Sequence, residues 1–148
     1  MTIETAVISD MEEILALQKL SYISEAEICN DFTIPPLLQS IDDIKNEYAS
    51  KTFLKAVDSG KIIGSVRANV HDDTCYIGKL IVHPDHQNKG IGRALMNSIE
   101  SHFQGCNRYE LFTGQKSEKN LYFYQKLGYR IFKEEKVSEN LTFVYLEK

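Results

Sequence analysis

Between Leu80 and Leu95 the chain passes from an apolar run, Leu80-Ile81-Val82, through the polar stretch His83-Pro84-Asp85-His86-Gln87-Asn88-Lys89, into Gly90-Ile91-Gly92 and an amphipathic segment. A strand that feeds a glycine-opened helix restricts the fold to architectures in which a helix start abuts a sheet. At such a start several backbone N–H groups lack intrahelical acceptors and point outward with the positive end of the helix dipole. Gly90 and Gly92 leave the backbone open to an approaching anion, and Lys89 adds a positive charge. The segment reads as an anion-binding loop. Because Gly-x-Gly at a loop-to-helix junction is more often a turn device, the surrounding pattern has to decide.

The pattern around it is that of a mixed α/β chain. Ile3, Ala6 and Val7 give a short apolar opening, and Ser9-Asp10-Met11-Glu12 has the S-x-x-E form of a capping box. Met11, Ile14, Leu15, Leu17, Tyr22 and Ile23 then supply a helical stripe up to about Glu27. Pro35-Pro36 interrupts, and Ser40-Ile41-Asp42-Asp43 begins a second helix. From Thr52 the chain turns β-rich, with segments 52–57, 61–70 and 75–82 joined by turns short enough to require an antiparallel meander. A helix over 91–103 follows, then a strand over 108–113, a helix from Ser117 closed by Gly128, and strands over 129–137 and 141–147. The expected order is β-αα-βββ-α-β-α-ββ around an α+β mixed sheet, in one domain spanning 1–148.

Composition excludes several classes. At 148 residues, 43% hydrophobic and 26% charged, the chain has room for one core and is neither collagen-like nor low in complexity. No apolar run approaches the roughly 20 residues of a membrane helix, and the first ten residues lack the basic and apolar regions of a secretory signal. A cytoplasmic protein with no membrane partner is expected. Cys29, Cys75 and Cys106 form no C-x-x-C pair and are odd in number, which fits ordinary thiols in a reducing compartment. Residues 1–60 hold 11 acidic and 4 basic side chains, net −7, whereas residues 61–148 hold 10 and 13, net +3. The first part would favour a cationic partner and the second an anionic one. With no Lys/Arg run to track a phosphate backbone, a nucleic-acid partner is not expected.

Rival phosphate loops fail on this sequence. G-x-x-x-x-G-K-[ST] is absent, and Leu95 stands where G-x-G-x-x-G needs its third glycine. What remains is Gln87-x-x-Gly90-x-Gly92 after a strand ending in Val82, and it resembles the acyl-CoA loop of the GCN5-related N-acetyltransferase (GNAT) family, Q/R-x-x-G-x-G/A. A second segment, Asn120-Leu121-Tyr122-Phe123-Tyr124-Gln125-Lys126-Leu127-Gly128-Tyr129, is similar to the family's N-x-x-[FY]-Y-x-x-x-G-[FY]. The resemblance covers essentially the whole chain and implies a GNAT-like acyl-CoA N-acyltransferase fold.

It also implies a transfer of acetyl from acetyl-CoA to a primary amine by direct attack in a ternary complex, with no metal needed. On that resemblance the amides of Gln87, Asn88, Lys89, Gly90, Ile91, Gly92 and Arg93 would hold the diphosphate. The backbone of Leu80, Ile81 and Val82 would pair with the pantetheine arm, and Asn120 would hydrogen-bond it. Tyr124 would act as the general acid toward the departing sulfur. Certain family members carry a Glu base at the position of Tyr76, from which this chain departs. His71, His83, Glu110 and Asp31 are the remaining candidates for the base, and none is singled out.

The acceptor is expected over the acidic first third, near Glu25, Glu27, Asp31 and Phe32. A small cationic amine and a peptide or protein amine both fit, and so does a homodimer. A non-catalytic acyl-CoA-binding regulatory module is the alternative reading.

Overall fold

The computed structural model describes residues 1–148. Seven strands form one mixed sheet in the order β1-β2-β3-β4-β5-β7-β6: β1 Thr2–Thr5, β2 Thr52–Asp58, β3 Lys61–His71, β4 Thr74–Val82, β5 Arg108–Gly114, β6 Arg130–Ser138 and β7 Leu141–Glu147. Six helices accompany it: α1 Met11–Ser21, α2 Ile23–Cys29, α3 Pro35–Leu38, α4 Ile41–Ser50, α5 Ile91–His102 and α6 Glu118–Lys126. The α+β mixed sheet and the strand–helix order from β2 onward agree with the sequence reading.

The first third is more broken than its pattern suggests. One continuous stripe was expected through Tyr22 and Ile23, yet the helix ends at Ser21 and Tyr22 takes φ −86°, ψ 0° before α2 begins. The break turns Ile23 outward to 40% exposure, while Met11, Ile14 and Leu17 stay in the core. Ser9 does not cap; a 3-10 turn over Ile8–Asp10 precedes α1, and Asp10 accepts from the Val7 amide at 2.8 Å instead. Pro35 and Pro36 do not merely interrupt, because proline fits the first turn of a helix, where its missing N–H is not needed, and together they start α3. The cap at Ser40 is as read: its hydroxyl accepts from the Asp43 amide at 3.1 Å and Asp43 accepts from the Ser40 amide at 3.0 Å.

Two cores lie on opposite faces of the sheet. On one, α5 buries Ile91, Leu95, Met96 and Ile99, one helical face, against Leu54, Val66, Ala68 and Ile77. Gly64 permits this approach, since a Cβ there would stand 3.0 Å from Leu95 Cδ1 and 3.1 Å from the Ile81 carbonyl. On the other face α1 and α4 bury Met11, Ile14, Leu17 and Ile44 against Phe53, Ile62 and Ile81. Each such side chain contributes roughly 1.5–3 kcal/mol. Strand β6 is exposed along its whole length and carries Lys133, Glu134, Glu135 and Lys136 at the sheet edge, where charge discourages further pairing.

The pairing of β4 with β5 positions everything that follows. It is parallel and covers only Thr74 with Arg108, Cys75 with Tyr109 and Tyr76 with Glu110. Beyond that point the strands part, so Ile77–Val82 and Leu111–Gly114 face an open wedge. β4 also carries a bulge: Ser65 pairs with Ile81 and Arg67 with Gly78, leaving Lys79 and Leu80 both opposite Val66, with Lys79 at φ 46°. Bulges of this kind bend a strand and re-aim its side chains.

An ionic cluster under the wedge ties the second core together. Arg67, 1% exposed on β3, donates to Gln18 Oε1 at 2.6 Å and to Glu47 Oε2 at 2.9 Å, and stacks 4.5 Å over the Phe53 ring. Burial pushes the Glu47 carboxyl up, but the Arg67 charge, hydrogen bonds from Gln39 and Lys51, and the nearby Lys79 outweigh it and hold its pKa at about 2. A carboxyl depressed from 4.5 stabilises the fold fully above 4.5, and that contribution is lost as pH falls toward 2. Glu47→Gln is expected to cost about 3–5 kcal/mol at pH 7 by leaving Arg67 unpaired. It also flattens the stability profile between these two values, as followed by denaturant unfolding across pH.

Candidate active site

The loop after β4 is built to present backbone donors. His83 Nδ1 accepts from the Asp85 amide at 3.0 Å and closes a 3-10 turn over Pro84–His86. The chain then runs extended at Gln87, and Asn88 and Gly90 take positive φ, 62° and 82°, before α5 starts at Ile91. The first internal bond of α5 is from Ala94 to the Gly90 carbonyl at 3.0 Å. No amide from Gln87 to Arg93 donates a hydrogen bond within the protein. A run of seven free N–H groups at the head of a twelve-residue helix is the donor set an oxyanion needs.

The two glycines do different work. Gly90 needs its φ of 82°, and nothing lies within 4 Å of the place its Cβ would take. Gly92 has ordinary geometry, but a Cβ there would meet the Phe123 ring at 3.4 Å and Leu80 at 3.8 Å. These are ordinary van der Waals distances, so the packing leaves room for a small side chain there, and it is the Gly92 amide that serves the loop. Lys89 and Arg93 are exposed beside the amides, and Lys119 reaches Gln87 Oε1 at 3.4 Å.

The free edge of β4 adds a separate set of backbone groups. The His83 amide bonds the Ile63 carbonyl at 2.8 Å, so by the alternation of an antiparallel ladder Val82, paired with Gly64, turns its own groups away from β3 and into the wedge. The Val82 carbonyl accepts there from Gln87 Nε2 at 3.3 Å and Ser21 Oγ at 3.4 Å. Leu80 and Ile81 precede it on the same strand, Ile81 with its side chain in the α1 core.

At the back of the wedge α6 presents Asn120 and Tyr124. Tyr124 is 8% exposed, and its hydroxyl makes no hydrogen bond within the protein. Burial first, and then the nearby Tyr22 and Glu25, raise its pKa well above the ordinary 10. Tyr22, at the α1–α2 break, is pushed to about 12 by burial, with Glu25 adding to the rise and Arg67 opposing it. Both phenols are neutral donors at any physiological pH. Tyr129 is instead used inside the protein, donating to Glu100 Oε2 at 2.8 Å, and Tyr122 is 64% exposed.

Glu25 joins the two sides of the wedge, a role its sequence context did not reveal. From α2 it accepts from Asn120 Nδ2 at 3.0 Å and from the Ser117 hydroxyl, while Asn120 also donates to Thr113 Oγ1 at 3.3 Å. The other acceptor candidates stand apart from it. Asp31 is bound to the Thr33 amide at 2.8 Å in its own turn, Glu27 is exposed, and Phe32 is 55% exposed. Among the candidate bases, His71 lies at the β3–β4 turn against Asp72, and His83 is the turn acceptor already described. Glu110, next to Tyr76 at the apex of the wedge, is held by Arg108 at 2.8 Å. The three thiols are free, two of them buried.

A mixed sheet splayed at a short parallel pairing, with a free-amide loop at its mouth, defines an acyl-CoA N-acyltransferase fold, and comparison with known proteins agrees. The sequence profile of the Acetyltransferase (GNAT) family matches residues 11–129, and the chain belongs to that family. It is 34% identical over 131 residues to the UPF0157 protein YqkA of Bacillus subtilis (strain 168), covering 87% of this chain and 37% of that protein. The chain thus spans little more than a third of this curated relative's length. Its fold is shared by smu.2055 from Streptococcus mutans UA159, with TM-score 0.85 and 19% identity over 100% of this chain and 98% of the other. The PaiA N-acetyltransferase from Thermoplasma acidophilum, solved in complex with coenzyme A, is also similar, with TM-score 0.79 and 18% identity over 98% of each chain.

Because Gly90 alone in the loop pairs glycine with a left-handed backbone, Gly90→Ala is expected to cost about 1–2 kcal/mol despite the empty space beside it. Thermal unfolding reads this as a clearly lower Tm, and an unchanged Tm would show that the loop adopts another conformation.

Proposed function

We propose that this chain is an acetyl-CoA-dependent N-acetyltransferase that transfers acetyl to a primary amine by direct attack within a ternary complex. The observation that carries the reading is the unbroken run of free amides from Gln87 to Arg93, one short turn beyond the free edge of β4 at Val82. A diphosphate satisfies the amides, and an extended arm bearing an amide group completes the strand edge at Val82. The coenzyme A held by the Thermoplasma relative supports the same ligand here. A thioester supplies the activated acetyl group, and the residues of this chain orient it and manage the charge that develops.

An N–H at the Val82 edge polarises the thioester carbonyl as its oxygen gains charge. The free Tyr124 hydroxyl serves the departing sulfur. Its raised pKa makes it a hydrogen-bond donor first, since full transfer to a thiolate whose conjugate acid lies near ~8.5 runs uphill from a phenol above ~10. Asn120 Nδ2 is held by Glu25 and Thr113, which leaves its Oδ1 to accept from an amide of the arm. Glu25 thereby orients Asn120 for the cofactor.

Two measurements test this. Free thiol should appear from acetyl-CoA only when an amine is added, and Tyr124→Phe should lower that turnover about 10²-fold while shifting the coenzyme A Kd little. A variant with normal turnover removes Tyr124 from the chemistry. Glu25→Ala, which removes the anchor that orients Asn120, should weaken coenzyme A binding by roughly threefold to tenfold, the worth of one hydrogen bond. Unchanged or tighter binding in calorimetry would contradict the Asn120 assignment.

A further inference from the structure

On the face of the sheet that carries α1 and α4, a cleft of about 380 Å³ opens between α3, the start of α4 and the β4 bulge, lined by Thr33, Pro35, Leu38, Gln39, Asp43 and Lys79. Its one cation is Lys79, delivered by a residue held at φ 46°. A left-handed lysine is costly, and such strain is kept where it aims a group.

The charges beneath the cleft do not balance. Glu47 is the one carboxylate among three cations: Arg67 at 2.9 Å, Lys51 at 2.9 Å and Lys79 at 3.9 Å, the last at the limit of an ion pair. Arg67 Nε is buried without any partner. Burial lowers the Lys79 pKa, and Arg67 and Lys51 add to the fall against the pull of Glu47. A half-buried ammonium repelled by two neighbours is stabilised by a further anion. Asp43 does not supply it, because its carboxylate is held at the α4 cap by Ser40.

We infer that Lys79 is a specificity-determining residue that binds a carboxylate carried by the acceptor amine. This rests on the acetyl-transfer reading above and names the substrate class for it: a small amine that also bears a carboxylate. Lys79 lies on the strand whose free edge faces the thioester, three residues before Val82, or about 10 Å along it. The long, flexible Lys79 side chain covers much of that distance, so one small molecule brings its amine to the thioester and its carboxylate to the ammonium. A monoanion suits the single cation of the cleft, and the Asp43 carboxylate at the rim repels a phosphate dianion more strongly than a carboxylate.

The test pairs amino acids with their methyl esters as acceptors, reading thiol release. Wild-type kcat/KM should favour the acids at least tenfold. Lys79→Met should raise KM for the acids at least tenfold and affect the esters by less than threefold, and Lys79→Arg should restore most of the preference. Equal use of acids and esters, or equal loss of both in Lys79→Met, overturns the inference.

Binding is read separately by calorimetry with N-acetylated amino acids and their methyl esters. Acids that bind wild type but not Lys79→Met support the carboxylate site even if no acceptor gives thiol release, in which case only the acetyl-transfer reading fails. Absence of any acid binding overturns the site.

Discussion

The fold turns on a pairing that stops early. After three residues of parallel contact, β4 and β5 separate at Tyr76 and Glu110. Backbone donors and acceptors must be satisfied by some partner, so parting two strands in mid-sheet leaves polar edges exposed to whatever enters. Here the free edge of β4 at Val82 is followed, after the internally bonded turn at His83–His86, by a loop whose amides from Gln87 to Arg93 are also free, so two sets of donors flank one opening. The opposite wall is closed by α6, whose Tyr124 and Asn120 reach back into the wedge. Both cores serve this arrangement: α5 fixes the loop from one face, and the cluster of Arg67, Glu47, Gln18 and Gln39 fixes the bulge from the other.

The distribution of charge takes on a different meaning in three dimensions. The net −7 of the first sixty residues suggests a surface that attracts cations, but several of those carboxylates are committed internally. Glu47 compensates buried Arg67, Glu25 holds α2 to α6, Asp10 pairs with Lys55 at 2.8 Å, and Asp31 and Asp43 close turns. Beneath the cleft between α3, the start of α4 and the β4 bulge the local balance is positive. A count along the chain averages over contacts made between residues twenty to ninety positions apart, and so misses the sign of the field at one place.

What was legible follows the same division. Strands 52–58, 61–71, 74–82 and 141–147, helix α5, and the glycine-opened loop were readable because their signals are local: period-two or helical patterning, short turns, and glycine where a left-handed backbone is needed. The break at Tyr22 was not, because Ile23 continues the apolar spacing and only tertiary packing rotates the helix there. Nor were the burial of Arg67 and the bulge at Lys79, since neither an isolated arginine in a strand nor a lysine at a register shift marks itself in sequence. Of the site, the loop and the α6 residues came from motifs. Glu25 was placed by charge alone, and its contacts with Ser117 and Asn120 required the fold.

In the proposed reaction the amides from Gln87 to Arg93, together with the edge at Val82, receive the diphosphate and arm of coenzyme A. Coenzyme A titrated into the ¹⁵N-labelled protein should shift the amide resonances of residues 87–93 and 82 together, with saturation at one ligand per chain. Saturable binding that leaves those resonances in place and moves others would contradict that assignment.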